Sequence, residues 1–189
     1  MTMKPCKLVL IILVWSLMCM GQMARGESPV SREYALKAAF LYNFAKFVEW
    51  PNEAFPDEST PIALCIVGED PFGTALEPVK GRAVRGRKTV IKRGVKPDEL
   101  TKCHICFISR SEEENLAKLL TELRDWQALT VSDVEGFAQR GGVIGLVTVE
   151  DEIHLEINID AAERAGLTLS SRLLKLARII RRDTGRRDN

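Results

Sequence analysis

Six consecutive apolar residues, Ile62 to Val67 (IALCIV), constrain this chain more than any other feature. A run that short, rich in β-branched side chains and without a polar position, reads as a strand buried on both faces. Such a strand needs a sheet with a layer on each side. Cys103 to Ser109 (CHICFIS) repeats the signal, and Lys88 to Arg93 and Ala128 to Ser132 add two further strands. Between them lie helical segments. Asp70 and Pro71 open a short one reaching Glu77, and Pro97-Asp98-Glu99 begin a single turn. Ser111, followed by Glu112, Glu113 and Glu114, caps a helix carrying Leu116, Leu119, Leu120 and Leu123 to about Asp125. Asp133 to Arg140 reads as a brief helix stopped by Gly141-Gly142.

Alternating strands and helices predict an α/β fold, a single three-layer domain with helices on both faces of a mostly parallel sheet of about six strands. Val143 to Val149 and Ile153 to Ile159 depart from that order. Only Glu150-Asp151-Glu152 join them, so they form an antiparallel hairpin at one edge. Ile153, Leu155, Ile157 and Ile159 alternate with His154, Glu156, Asn158 and Asp160, giving one face to the core and one to water or a partner. Helical segments at Ala161 to Ala165 and Ser170 to Arg182 close the chain.

Before the first strand comes YALKAAFLYNFAKFVEWP, Tyr34 to Pro51. Phe40, Phe44 and Phe47 share one helical face, and Ala38, Leu41, Ala45 and Val48 widen it. Ser31 is the expected N-cap and Trp50-Pro51 the stop. Only Lys37, Asn43, Lys46 and Glu49 interrupt the apolar surface. Such a helix is either wholly core, or core on one side with Phe40, Tyr42, Phe44 and Phe47 offered to a partner.

The first 26 residues carry Lys4 and Lys7, an apolar stretch from Leu8 to Met20, and a small-x-small site at Ala24-Arg25-Gly26. This reads as a cleaved signal peptide, with an uncleaved anchor as the alternative, leaving 27–189 as the domain. Of 27 Lys and Arg, three leave with the leader against none of the 26 acids, so the remainder is slightly acidic. That excludes general nucleic-acid affinity. No later stretch is long and apolar enough to insert stably in a membrane, and export to the bacterial periplasm is expected. In that oxidising compartment Cys65, Cys103 and Cys106 predict one disulfide and one spare thiol. Cys103 and Cys106 fall three apart in a strand-like run, on opposite sheet faces, which disfavours a bridge between them.

Chemistry is hard to find. His104 and His154 are the only histidines, both in predicted strands, where a structural role is the ordinary one. There is no G-x-S-x-G, no H-E-x-x-H and no Walker lysine, and no paired Cys or His set for zinc. No catalytic residue, cofactor or metal is expected. Gly68-x4-Gly73 lacks the lysine of a P-loop, yet it lies at the carboxyl end of a parallel strand, where open α/β sheets bind ligands. Gly68, Asp70 and Gly73 are therefore candidate ligand residues for a small anion. Seven cations crowd positions 82–96: Arg82, Arg85, Arg87, Lys88, Lys92, Arg93 and Lys96. They can meet an acidic partner, anionic lipid or cell-wall polymer, or form a solvated loop.

The runs YALKAAFLYNFAKFVEWP, IALCIVGEDPFG, CHICFIS, GGVIG and EINIDAAERAGLTLSSRLLKLA together resemble the YfiR family of exported bacterial proteins, over nearly the whole mature chain. The resemblance implies a periplasmic protein, often a homodimer, that binds the periplasmic sensor domain of a YfiN-type inner-membrane diguanylate cyclase. It would repress that enzyme, lowering cyclic di-GMP and restraining biofilm formation. It also implies a disulfide between Cys65 and Cys103, with Cys106 a small buried hydrophobe. A second bridge found in some members has no counterpart, because no cysteine follows Cys106. The alternative is a periplasmic small-ligand sensor acting on a histidine kinase or another membrane signalling protein.

Overall fold

A computed structural model describes residues 28–181. The expected leader and the arginines at 182, 186 and 187 lie outside them. Ser28 and Pro29 start helix α1, Pro29–Phe47, three residues before the expected cap. The Ser28 side chain accepts the Ser31 N–H at 3.2 Å, and Pro29 fills the first turn, where no N–H is needed. The helix stops at Phe47, short of Trp50, because β1 (Val48–Glu49) is drawn out to pair antiparallel with β9 (Thr168–Leu169).

The main sheet contains β2 (Ile62–Val67), β3 (Ala83–Val84), β4 (Arg87–Arg93), β5 (Ile105–Ile108), β6 (Leu129–Ser132), β7 (Ile144–Val149), β8 (Glu152–Asn158) and β10 (Ala177–Ile180). Their spatial order is β10-β8-β7-β6-β5-β2-β4-β3. All neighbours are parallel except the β7/β8 hairpin and the short β3/β4 pair. Period-two geometry divides β2 cleanly. Ile62, Leu64 and Ile66 join a core beneath α1, together with Phe72, Leu76, Ala161, Ala162 and Leu173. Ala63, Cys65 and Val67 face a second core with Leu100, Leu116, Leu119, Leu123 and Phe137. The first core is closed by α1, α3 (Ile159–Arg164), α4 (Ser171–Leu174) and a 3-10 turn at Gly73–Val79; the second by α2 (Leu116–Glu122) and a 3-10 turn at Pro97–Lys102.

The mostly parallel three-layer form is as expected, with differences toward the C-terminus. The predicted helix at Ser170 to Arg182 is only the four residues of α4, and Ala177–Ile180 becomes β10. Paired Ile179 and Ile180 favour extended backbone, and β8 offers them an open edge. The hairpin therefore lies one strand in from the edge, and the sheet has eight strands among the described residues. Residues 133–140 form hydrogen-bonded turns rather than a helix, since Gly136 takes φ +68°. These turns cover the back of β8. Glu156 and Asn158, expected to face water or a partner, are buried there: Gln139 Nε2 donates to Glu156 at 2.9 Å and Asn158 Nδ2 to the Ala138 carbonyl at 2.8 Å.

Candidate functional site

Helix α1 has two unlike halves. In the first, Lys37 is fully buried, its Nζ 2.6 Å from Asp133 Oδ2 and 2.6 Å from Glu33 Oε1. Tyr34 donates its hydroxyl to the same Asp133 oxygen at 2.8 Å, Thr148 donates to Glu33 at 2.8 Å, and Arg110 approaches Asp133 at 3.5 Å. Burial pushes the Glu33 carboxyl up, but the bonds from Lys37 and Thr148 outweigh it and hold the group below its usual value. Burial, then the Asp133 charge and hydrogen bond, raise Tyr34. The cluster clamps α1 onto the segment after β6. By sequence alone Lys37 reads as an interruption of the apolar surface. The Glu33/Lys37 spacing of four was the available signal, but the third partner is 96 residues away.

The second half carries the predicted partner face. Phe44 is 1% exposed and belongs to the core, with Phe40 stacked on it at 6.1 Å. Phe40, Tyr42 and Phe47 are only partly covered. The Tyr42 ring lies between Lys46 Nζ at 4.2 Å and the Arg82 guanidinium at 4.8 Å, and Arg85 pairs with Glu49 at 2.9 Å. Two cations of the 82–96 cluster thus come against Tyr42 and Glu49, whereas Phe40 and Phe47, about half a helical turn from Tyr42, lie on the other flank of α1. This half of α1 therefore presents two partly covered flanks, one with Phe40 and Phe47 and one with Tyr42 against Lys46 and Arg82.

The loop Gly68 to Gly73 is built differently from an open ligand cradle. Gly68 has φ +83°, and a Cβ there would lie 2.4 Å from Ser111 Oγ. That hydroxyl accepts the Glu69 N–H at 2.9 Å. Asp70 accepts the Phe72 N–H at 2.8 Å and the Arg93 guanidinium; Arg93 also reaches Glu77 at 3.1 Å. Phe72 then packs on Phe107 and Tyr34. Side chains of the chain itself meet Gly68 and Asp70, and Gly68, Asp70 and Gly73 line none of four of the better-formed cavities among the described residues.

At the opposite end, Cys65 and Cys103 are joined, their Cα atoms 5.9 Å apart. Closing a loop of 38 residues stabilises the fold by roughly 4 kcal/mol in a chain-entropy account. Cys103 precedes β5, so the opposite-face expectation fails: Cys103 and Cys106 share one core with Cys65. Burial pushes the Cys106 thiol up to about 12, which makes it inert. Beside the bridge, the His104 ring is structural. Its Nδ1 accepts the Ala63 N–H at 3.1 Å, which puts the proton on Nε2 facing the Ala54 carbonyl at 3.1 Å. Phe55 stacks on it at 4.4 Å. Burial, aided by the charges of Arg87 and Lys92, lowers its pKa despite the Ala54 bond.

Among the described residues no three His, Cys, Asp or Glu side chains group as metal ligands, and no helix is long and apolar enough to cross a membrane. The fold is a three-layer α/β domain whose partly exposed features include the aromatic half of α1 and a cavity. A family model described as YfiR/HmsC-like matches residues 34–178, and the chain belongs to that family. Membership points to a periplasmic regulatory role. Among solved structures, the chain resembles a conserved domain protein from Vibrio cholerae at 11% identity and TM-score 0.51, over 77% of this chain and 59% of that one. That likeness concerns the fold alone, and the chain spans well under two thirds of that protein. An ABC domain from Streptococcus pneumoniae in complex with L-Trp aligns at 11% identity and TM-score 0.45, over 68% of this chain and 57% of that one.

Proposed function

We propose that this protein is an exported, non-catalytic regulator that binds the periplasmic sensor domain of a YfiN-type membrane diguanylate cyclase and holds the enzyme inactive. The observation that carries the reading is the family match across residues 34–178, which takes in α1 from Tyr34 onward, its aromatic half included. Phe40, Tyr42 and Phe47 are partly exposed there, while Phe44 holds the helix to the core. Repression by binding requires a higher affinity for the inactive sensor arrangement than for the active one. Tyr42 with its two cations supplies one contact and Phe40 with Phe47 another, and the clamped first half of α1 keeps the helix from yielding.

The test is co-expression with such a cyclase while cyclic di-GMP is measured. Wild type lowers the nucleotide and Tyr42→Glu restores it; equal levels with and without the wild-type protein would contradict the reading.

A further inference from the structure

At the amino ends of β2 and β5 and alongside Val90 and Lys92 of β4, beside the disulfide, lies a cavity of about 370 Å³, within the size range of small-molecule sites. Its floor is Ala63, Val90 and Cys103, and one wall is the loop carrying Ala54, Pro56 and Pro61. That loop is fixed in place. Arg87 Nη1 donates to the carbonyls of Asp57, Glu58 and Thr60 at 2.7, 3.0 and 2.9 Å, and its guanidinium lies over the Phe55 ring at 4.0 Å. The His104 side chain ties down Ala54, and Trp50 Nε1 donates to the His104 carbonyl at 3.2 Å. The cavity is therefore preformed.

Its chemistry is uneven in a useful way. Trp126 stands at the rim with 44% of its surface exposed, one of the few large apolar side chains so placed. Lys92 and Lys102 line the cavity with a single acid, Glu53, and none of the three has an ion-pair partner among the described residues. A flat ring can stack on an indole while its acid group meets the ammonium groups. We infer that this cavity binds a small planar organic acid, its ring against Trp126 and its anionic group between Lys92 and Lys102. The site is independent of the α1 face, and its test does not depend on the cyclase.

The probe is 2-naphthoate, with uncharged 2-naphthamide as its control, titrated calorimetrically into the intact mature protein. One saturable site is expected, about tenfold weaker for the amide. Trp126→Ala and the pair Lys92→Gln with Lys102→Gln should each weaken 2-naphthoate about tenfold, and Lys88→Gln, outside the cavity, should leave it unchanged. Trp126 and Lys102 are exposed, so these variants should fold, and an unchanged melting temperature verifies it. No saturable binding up to millimolar probe, or equal affinity in the cavity variants, would overturn the inference.

Discussion

The two halves of α1 look alike as sequence and differ as structure. From Glu33 to Lys37 the helix is held by charges drawn inward, Lys37 against Asp133 and Glu33 with both oxygens of the pair supported by Tyr34 and Thr148. From Phe40 to Phe47 it is held by Leu41, Phe44 and Ala45, while Phe40, Tyr42 and Phe47 stay partly in solvent, Tyr42 against Lys46 and Arg82. The difference teaches that stability and recognition are separated along one helix. A surface that must present aromatic rings needs an anchor that does not use them.

Breaking the anchor should cost most. Asp133→Ala leaves the fully buried Lys37 ammonium with only partly exposed Glu33, and a loss of about 3–5 kcal/mol is expected in urea unfolding. Replacing Cys65 and Cys103 together by Ser should cost roughly 4 kcal/mol, less any strain the bridge carries. Within the aromatic half, Phe44→Ala should cost about 3–5 kcal/mol in the same assay, against roughly 1 kcal/mol for Phe47→Ala, which removes a ring already partly in water. If Phe47→Ala proves as damaging as Phe44→Ala, the separation does not exist.

A smaller effect lies outside α1 and depends on pH. His104 is kept neutral, its pKa depressed by burial and by the charges of Arg87 and Lys92. As pH falls below about 6.5 the unfolded chain binds a proton that the folded chain does not. Stability should therefore be full above that value and decline as pH falls toward the depressed folded pKa. His104→Gln should flatten this part of the profile in thermal denaturation. An unchanged slope would mean that the imidazole is protonated in the folded protein.

Much of this was legible in the chain. IALCIV and the ICFI within CHICFIS announce strands covered on both faces, because no polar position relieves them, and the joined acids Glu150 to Glu152 mark the β7/β8 hairpin. What escaped depends on distant partners. Helical spacing in SSRLLKLARII is real, yet the free edge of β8 turns its last four residues into β10. Glu156 and Asn158 alternate like exposed residues and are buried because the 133–140 turns bring Gln139 and the Ala138 carbonyl to meet them. Among the candidate site residues, Phe44 could not be told from Phe40 or Phe47 by period alone, since all three share a face. Asp70 reads as a helix cap, and only the fold shows Arg93 against it.

The most direct measurement of the central claim is the affinity of the purified mature protein for the isolated periplasmic sensor domain of a YfiN-type cyclase, compared between wild type and Tyr42→Glu. Tyr42 is partly exposed, so the variant should keep the wild-type melting temperature. Saturable binding by wild type and at least about tenfold weaker binding by the variant is the predicted result. Equal affinities, or no binding by the wild-type protein, would contradict it.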